Sequence, residues 1–274
     1  MNPAAWVDGQ PAASVPLDDR GLMYGDGVFE TIVCRSGEPR FLALHLARLA
    51  DGCAALGIAA PPATTLAADV RRAGGEGDSL VRLTVTRGSS SERGYAPPAG
   101  ATPRRIVQRH PLAIVADAAA GGIRACHSTV VAGVAPQLAG FKHLNRLENV
   151  LARSRLAATG CAEAVLSTAA GAIVGGTMSN LFACIDGRLL TPPIDVAGVR
   201  GVMRAVVLRE AAQLGLQARE QALRAPDLRR ASEIFFTNVR VGIWPVRELE
   251  GWRDDGAPGP VAIALQARIA GLRA

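Results

Sequence analysis

Apolar residues recur along the chain in short runs punctuated by Gly, Asp and Pro, and their spacing predicts a mixture of strands and helices from end to end. Trp6 to Pro16 reads as a short hairpin with Asp8-Gly9 at its turn. A glycine-rich corner at Tyr24-Gly25-Asp26-Gly27 leads into a strand over Val28 to Arg35. Leu42 to Leu56 then carries apolar residues at helical spacing until Gly57 stops it. A helix over Leu66 to Arg72, a strand over Ser79 to Arg87 and another over Arg105 to Leu112 follow. Beyond a strand-like Ile123 to Ala132, Leu144 to Ala158 predicts a helix whose packed face holds Leu144, Leu147, Leu151 and Ala158. Short strands at Ala164 to Ser167, Ile173-Val174, Leu181 to Ile185 and Leu189-Leu190 precede a helix opening after Gly201 and running to about Leu214. Glu233 to Thr237 is a late strand.

At 274 residues the chain has room for two modest domains, each with its own core. The run ADAAAGG from Ala116 to Gly122, small and without period, marks the linker. An N-terminal α+β domain at 1–117 and a C-terminal α/β domain at 118–274 are therefore expected. No stretch approaches the roughly 20 apolar residues of a membrane span. MNPAAWVDGQ lacks a basic region followed by an apolar one, so a cytoplasmic location is expected, with no membrane partner. The formal charge is +6, but the arginines are scattered among acids rather than gathered into a stripe, which argues against nucleic acid as a partner. Five cysteines, Cys34, Cys53, Cys126, Cys161 and Cys184, form no CxxC pair and have no histidine at ligand spacing; they read as reduced, mostly packed thiols, with no metal site.

One count changes the picture. Of thirty Lys plus Arg residues, only Lys142 is lysine. A guanidinium stays protonated, whereas a lysine amine can lose its proton and attack a carbonyl. A lysine retained where arginine serves everywhere else suggests covalent chemistry; composition alone leaves chance survival as the alternative. Lys142 lies in GFKHLNRLENVLARSRL, between a glycine-containing loop and a predicted helix start. Gly201, in AGVRGVMRAVVLRE, precedes another helix, whose first free N–H groups and positive dipole end make an anion site. Read as structure only, that glycine closes a turn.

Six blocks in order carry a resemblance: DRGLMYGDGVFET (Asp19 to Thr31), TRGSSSERGY (Thr86 to Tyr95), FKHLNRLENVLAR (Phe141 to Arg153), GTMSNLF (Gly176 to Phe182), GVRGVMR (Gly198 to Arg204) and EIFFTNVRVGIWPV (Glu233 to Val246). Together they resemble the fold-type IV pyridoxal 5′-phosphate (PLP) enzymes, the group of branched-chain and D-amino-acid aminotransferases and aminodeoxychorismate lyases. The resemblance implies a two-domain, mixed α+β and α/β, D-amino-acid aminotransferase-like fold, PLP as cofactor, a small-molecule substrate and a homodimer. Branched-chain aminotransferases resemble KTxxNY after the lysine; KHLNRLE here resembles the lyase branch, whose activity converts 4-amino-4-deoxychorismate to 4-aminobenzoate and pyruvate. An aminotransferase of the same fold is the rival reading.

By the same carry-over Lys142 is the Schiff-base lysine and later the base, Arg48 binds the cofactor phosphate, and backbone N–H groups of Val202 and Met203 complete that cradle. Asn238 lies at the cofactor's other edge, and Thr31 relays a proton to the departing pyruvate. Arg93 and Tyr95 are the substrate-carboxylate candidates, while His45 and His143 read as packing or hydrogen-bonding histidines. One departure stands out. Where the family has a glutamate five residues before the Asn of SNLF, paired with the pyridine nitrogen, this chain has Gly175. That raises a further alternative, a PLP-binding descendant without activity.

Overall fold

The computed structural model describes residues 4–112, 121–253 and 256–272. Contacts divide it into two compact units. Of the described residues, 4–112 and 141–145 form the first, and 121–140, 146–253 and 256–272 form the second. The sequence assigns Lys142 to the C-terminal domain, and the structure departs from that assignment. Phe141–Asn145 belongs with the first unit because its backbone pairs there: the Phe29 N–H donates to the Lys142 carbonyl (2.9 Å), the Leu144 N–H donates to the Gly27 carbonyl (3.0 Å), and Val28 and His143 form an antiparallel bridge. The 117/118 boundary, with most of the ADAAAGG run, lies outside the described residues.

Among the described residues the first unit is built on a six-stranded antiparallel sheet. It runs β2 (Gln10–Pro11), β1 (Ala5–Val7), β6 (Arg104–Pro111), β5 (Ser79–Thr86), β3 (Gly27–Arg35), β4 (Glu38–Pro39). The hairpin turns where the sequence places it, with Asp8 at φ 49° and Gly9 at φ 88°, the left-handed pair that a two-residue turn requires. Helix α1 (Arg20–Tyr24) precedes β3; α2 (Leu42–Leu56) and α3 (Ala63–Gly74) follow β4. Val28, Ile32 and Cys34 of β3 pack with Leu49 and Cys53 of α2, Val70 of α3 and Val81, Leu83 and Val85 of β5. Gly57 ends α2 at φ 62°, a conformation that costs a residue with Cβ about 1–2 kcal/mol.

The second unit holds a mixed sheet in the order β12 (Ala218–Glu220), β11 (Arg188–Thr191), β10 (Asn180–Ile185), β13 (Glu233–Asn238), β14 (Gly242–Leu249), β7 (Ile123–His127), β8 (Glu163–Ser167), β9 (Ile173–Gly176). Leu181, Ala183, Ile234, Phe236, Trp244 and Val246 form its core. Helix α4 spans Leu147–Leu156, α5 Val202–Gln213, α6 Ala225–Leu228 and α7 Pro260–Ala270. The Glu233 carboxylate accepts the Val261 and Ala262 N–H groups (both 3.0 Å), so a buried charge caps the start of α7.

Helix α4 departs from its sequence reading in two ways. It starts at Leu147, because Leu144 is committed to the strand pairing with Gly27. Its buried residues are Ala152 and Leu156, while Leu147, Val150 and Leu151 are exposed. Helical spacing marks an apolar face without saying what covers it. Cys34, Cys53 and Cys184 are buried and free, and Cys126 and Cys161 are half-buried and free. Burial pushes the Cys53 thiol up to about 11 and the Cys184 thiol up to about 12, so both stay protonated. No helix among the described residues is long and apolar enough to cross a membrane.

Candidate active site

Side chains alternate across β3, so neighbouring residues serve different faces. Val28, Glu30 and Ile32 turn toward α2; Phe29 and Thr31 take the opposite face. The Lys142 Nζ lies 4.5 Å from the Phe29 ring centroid, and the Arg82 guanidinium lies 4.0 Å from the same centroid. Arg82, on β5, stands directly opposite Thr31 in the strand register. The lysine reaches the Phe29 ring because Phe141–Asn145 runs beside β3 as an extended segment, and its helix begins only five residues later. Burial pushes the Arg82 guanidinium below the usual arginine value, and among the described residues no carboxylate pairs with it. A half-buried cation without a counter-ion costs stability unless an anion arrives.

A buried triad fixes α2 against β3, and the charge of Lys142 is near enough to bear on its histidine. The Glu30 carboxylate contacts His45 Nδ1 (2.6 Å) and accepts from Arg48 Nε (2.8 Å) and Nη2 (2.5 Å). Burial opposes ionisation of Glu30, but the bonds from His45 and Arg48 outweigh it and hold the carboxyl below its ordinary value. Burial also lowers His45, which overrides the attraction of Glu30 and keeps the imidazole neutral. With Nδ1–H assigned as the donor to Glu30, Nε2 is an acceptor, and it has no partner among the described residues. Arg48 thus has its guanidinium oriented by two bonds to one carboxylate.

In the second unit, four sequence-derived positions gather around one turn. Gly201 precedes α5, whose opening Val202 and Met203 are both buried. A Cβ at Gly201 would lie 2.1 Å from Asn180 Oδ1, so only glycine fits against that side chain. Asn180 Nδ2 in turn donates to the Val199 carbonyl (2.9 Å). Asn238 accepts the Arg240 and Val241 N–H groups (2.9 and 3.1 Å), and its Nδ2 donates to the Met178 carbonyl at 3.4 Å. The turn is pinned by Glu163, fully buried, which accepts from Thr177 N (2.9 Å), the Thr177 hydroxyl, Met178 N (3.4 Å) and the Ser179 hydroxyl (2.8 Å).

Gly175 sits on β9 at φ 153°, where side-chain-bearing residues are strained, and a Cβ there would stand 2.9 Å from the Ser179 carbonyl oxygen. A glutamate, which the resemblance implies at this position, would not fit here by a simple exchange of side chain. The backbone has taken a shape that rejects it.

Lys142 stands over the ring of Phe29, two residues before Thr31 on β3, while Arg93 and Tyr95 lie exposed on the loop after β5. Sequence reasoning missed Arg82, Glu30 and Glu163. For Arg82 a signal was present: a cation inside the otherwise apolar strand SLVRLTVT. The carboxylates carried none, because their partners are distant in sequence.

The described architecture and this lysine define the class. The amino-transferase class IV family model matches residues 27–249, and the chain belongs to that family. It is similar to the crystal structure of 4-amino-4-deoxychorismate lyase from Pseudomonas aeruginosa, with 40% sequence identity, 97% of each chain covered and a TM-score of 0.91. An aminodeoxychorismate lyase of Vibrio harveyi is 32% identical over 247 residues, covering 88% of this chain and 89% of that protein. A putative branched-chain-amino-acid aminotransferase of Methanocaldococcus jannaschii is 34% identical over 244 residues, 87% and 84% of the two chains.

Proposed function

We propose that this protein is a PLP-dependent carbon–oxygen lyase that converts 4-amino-4-deoxychorismate to 4-aminobenzoate and pyruvate. The observation that carries the reading is the solitary Lys142, followed by HLNRLE and seated over the ring of Phe29, which Arg82 also meets. The likeness to lyases of two organisms supports it. PLP, when bound, withdraws electrons from the substrate carbon that carries the amino group. The residues fit such a group: a primary amine on an aromatic-lined face, an arginine oriented by Glu30, and a helix N-terminus with the free N–H groups of Val202 and Met203. Within the first unit Arg48 would be a phosphate ligand; within the second, the start of α5 would be an anion site and Asn238 would serve the cofactor ring.

Lys142 would hold the cofactor through its side-chain amine, and the same amine, when neutral, is the base placed to take the proton from C4 of the substrate. The C3–oxygen bond breaks, the ring becomes aromatic, and the departing enolpyruvate gains a proton for which the Thr31 hydroxyl is the donor relay. Arg82 on the same face, with Arg93 and Tyr95, binds the substrate carboxylates. Aromatisation supplies much of the driving force, so a site lacking the carboxylate at position 175 still suits this elimination. A transaminase must store the electrons on the cofactor and suffers more.

The exposed Leu147, Val150 and Leu151 of α4 support a homodimer, since an apolar stripe of this kind calls for a cover. We read the enzyme as cytoplasmic and as a source of 4-aminobenzoate for folate biosynthesis. The Methanocaldococcus relative favours one second reading, an aminotransferase of the same fold. The test is to incubate the PLP-loaded protein with 4-amino-4-deoxychorismate and quantify both products against Lys142→Ala. Equimolar 4-aminobenzoate and pyruvate from wild type alone is the expected result. Conversion of the cofactor to pyridoxamine phosphate by D-alanine or a branched-chain amino acid, with no 4-aminobenzoate, would overturn it.

A further inference from the structure

Two blocks of the sequence, Asp19–Thr31 and Thr86–Tyr95, are fastened together by a buried cation. Arg20 is 3% exposed, and each of its three nitrogens donates: Nε to Asp26 Oδ2 (2.9 Å), Nη1 to the Gly94 carbonyl (3.1 Å) and Nη2 to the Tyr95 carbonyl (2.9 Å). Asp26 does not need Arg20 for neutralisation. Arg87 already engages both its oxygens (Nε 2.7 Å, Nη2 3.0 Å) and extends to the Gly57 and Leu56 carbonyls (2.8 and 2.6 Å). What Arg20 adds is two donors aimed at consecutive carbonyls of an irregular loop.

Tyr24 closes the clamp. The Arg20 guanidinium lies 4.8 Å from the Tyr24 ring centroid, the Gly94 N–H donates to the Tyr24 hydroxyl (3.2 Å), and the Tyr24 ring meets Tyr95 edge-on, with centroids 5.6 Å apart. Gly94, at φ 113°, supplies a backbone turn that other residues resist. The loop backbone is thus held by its carbonyls, its amide and one ring, while Arg93 stays exposed and Tyr95 is 87% exposed. Fixed backbone with presented side chains is the arrangement of a recognition loop on a rigid support.

We infer that Arg20, with Tyr24, is a positioning residue that holds the Arg93–Tyr95 segment in the conformation that captures the anionic substrate. This rests on the reading of Arg93 and Tyr95 as substrate-carboxylate ligands. Because Arg20 acts on the loop and not on the reacting atoms, its loss weakens substrate capture and leaves the chemical step. Tyr24→Phe removes one acceptor without disturbing the buried charges; Arg20→Lys keeps the charge beside Asp26 but loses the planar fork that spans two carbonyls.

The test uses the PLP-loaded protein. For Arg20→Lys the expected result is a KM for 4-amino-4-deoxychorismate raised about tenfold, kcat within about threefold of wild type and an unchanged cofactor absorbance band. Tyr24→Phe is expected to raise KM about threefold by the loss of one hydrogen bond. A fall in kcat at unchanged KM, or no change in either variant, would overturn the inference. Limited trypsin cleavage after Arg93 separates this from the functional reading, because it needs no activity. Cutting in Arg20→Lys should accelerate about tenfold as the loop is released. If wild type makes no 4-aminobenzoate while cutting still accelerates, the clamp stands and the lyase reading falls; equal cutting rates in both proteins remove the clamp.

Discussion

Placing at position 175 the glutamate that the resemblance implies should harm this protein rather than improve it. Gly175 adopts φ 153°, and a residue with a side chain held in such a sparsely populated region costs about 1–3 kcal/mol. A Cβ there would also press to 2.9 Å against the Ser179 carbonyl oxygen, which is not free to retreat. It accepts the Gly176 N–H at 2.8 Å, and its own residue's hydroxyl is bonded to Glu163. Shifting it forfeits a hydrogen bond worth about 1 kcal/mol. The sum, about 2–4 kcal/mol for Gly175→Ala and Gly175→Glu alike, lowers the melting temperature of a unit of this size by about 5–15 °C. Calorimetric unfolding of the three proteins measures it directly, and lyase turnover of Gly175→Glu measured beside it should not exceed wild type. A Gly175→Glu protein as stable as wild type and faster would refute the argument. It would mean that the backbone relaxes at no cost and that the chain simply lacks a carboxylate.

Two other consequences concern buried charge. Glu30 titrates below its ordinary 4.5 and His45 below its ordinary 6.5, so the folded state binds fewer protons than the unfolded one in acid. The stability they contribute is complete above about pH 6.5 and is lost as pH falls, first in the window that His45 sets and then below that of Glu30. Melting temperature against pH should show this, with a flatter slope between 6.5 and 4.5 in His45→Gln; an unchanged slope would contradict it. Arg82, half-buried without a carboxylate among the described residues, should trade stability for function. Arg82→Met should raise stability by about 1 kcal/mol while raising KM for the dianionic substrate about tenfold or more. Lower stability with unaltered KM would show Arg82 to be structural.

Much of this protein is legible in its sequence, and the reason is locality. A helix stop at Gly57, a turn at Asp8-Gly9 and a helix start at Gly201 depend on neighbouring residues, so their positions could be read from the string. The lone lysine was legible for a chemical reason, since no arginine can replace its nucleophilic amine. Spacing could not say what surrounds these residues. Leu147 and Leu151 have the period of a packed face and are exposed; Lys142 precedes a helix in sequence but is held as an edge segment beside β3. Arg20, Glu30 and Glu163 look like ordinary charges until the fold brings Gly94, His45 and Thr177 to them across 74, 15 and 14 residues. Desolvation and hydrogen-bond geometry exist only once those partners meet, which is why tertiary structure alone decided which charges are buried, which are paired, and why residue 175 must be glycine.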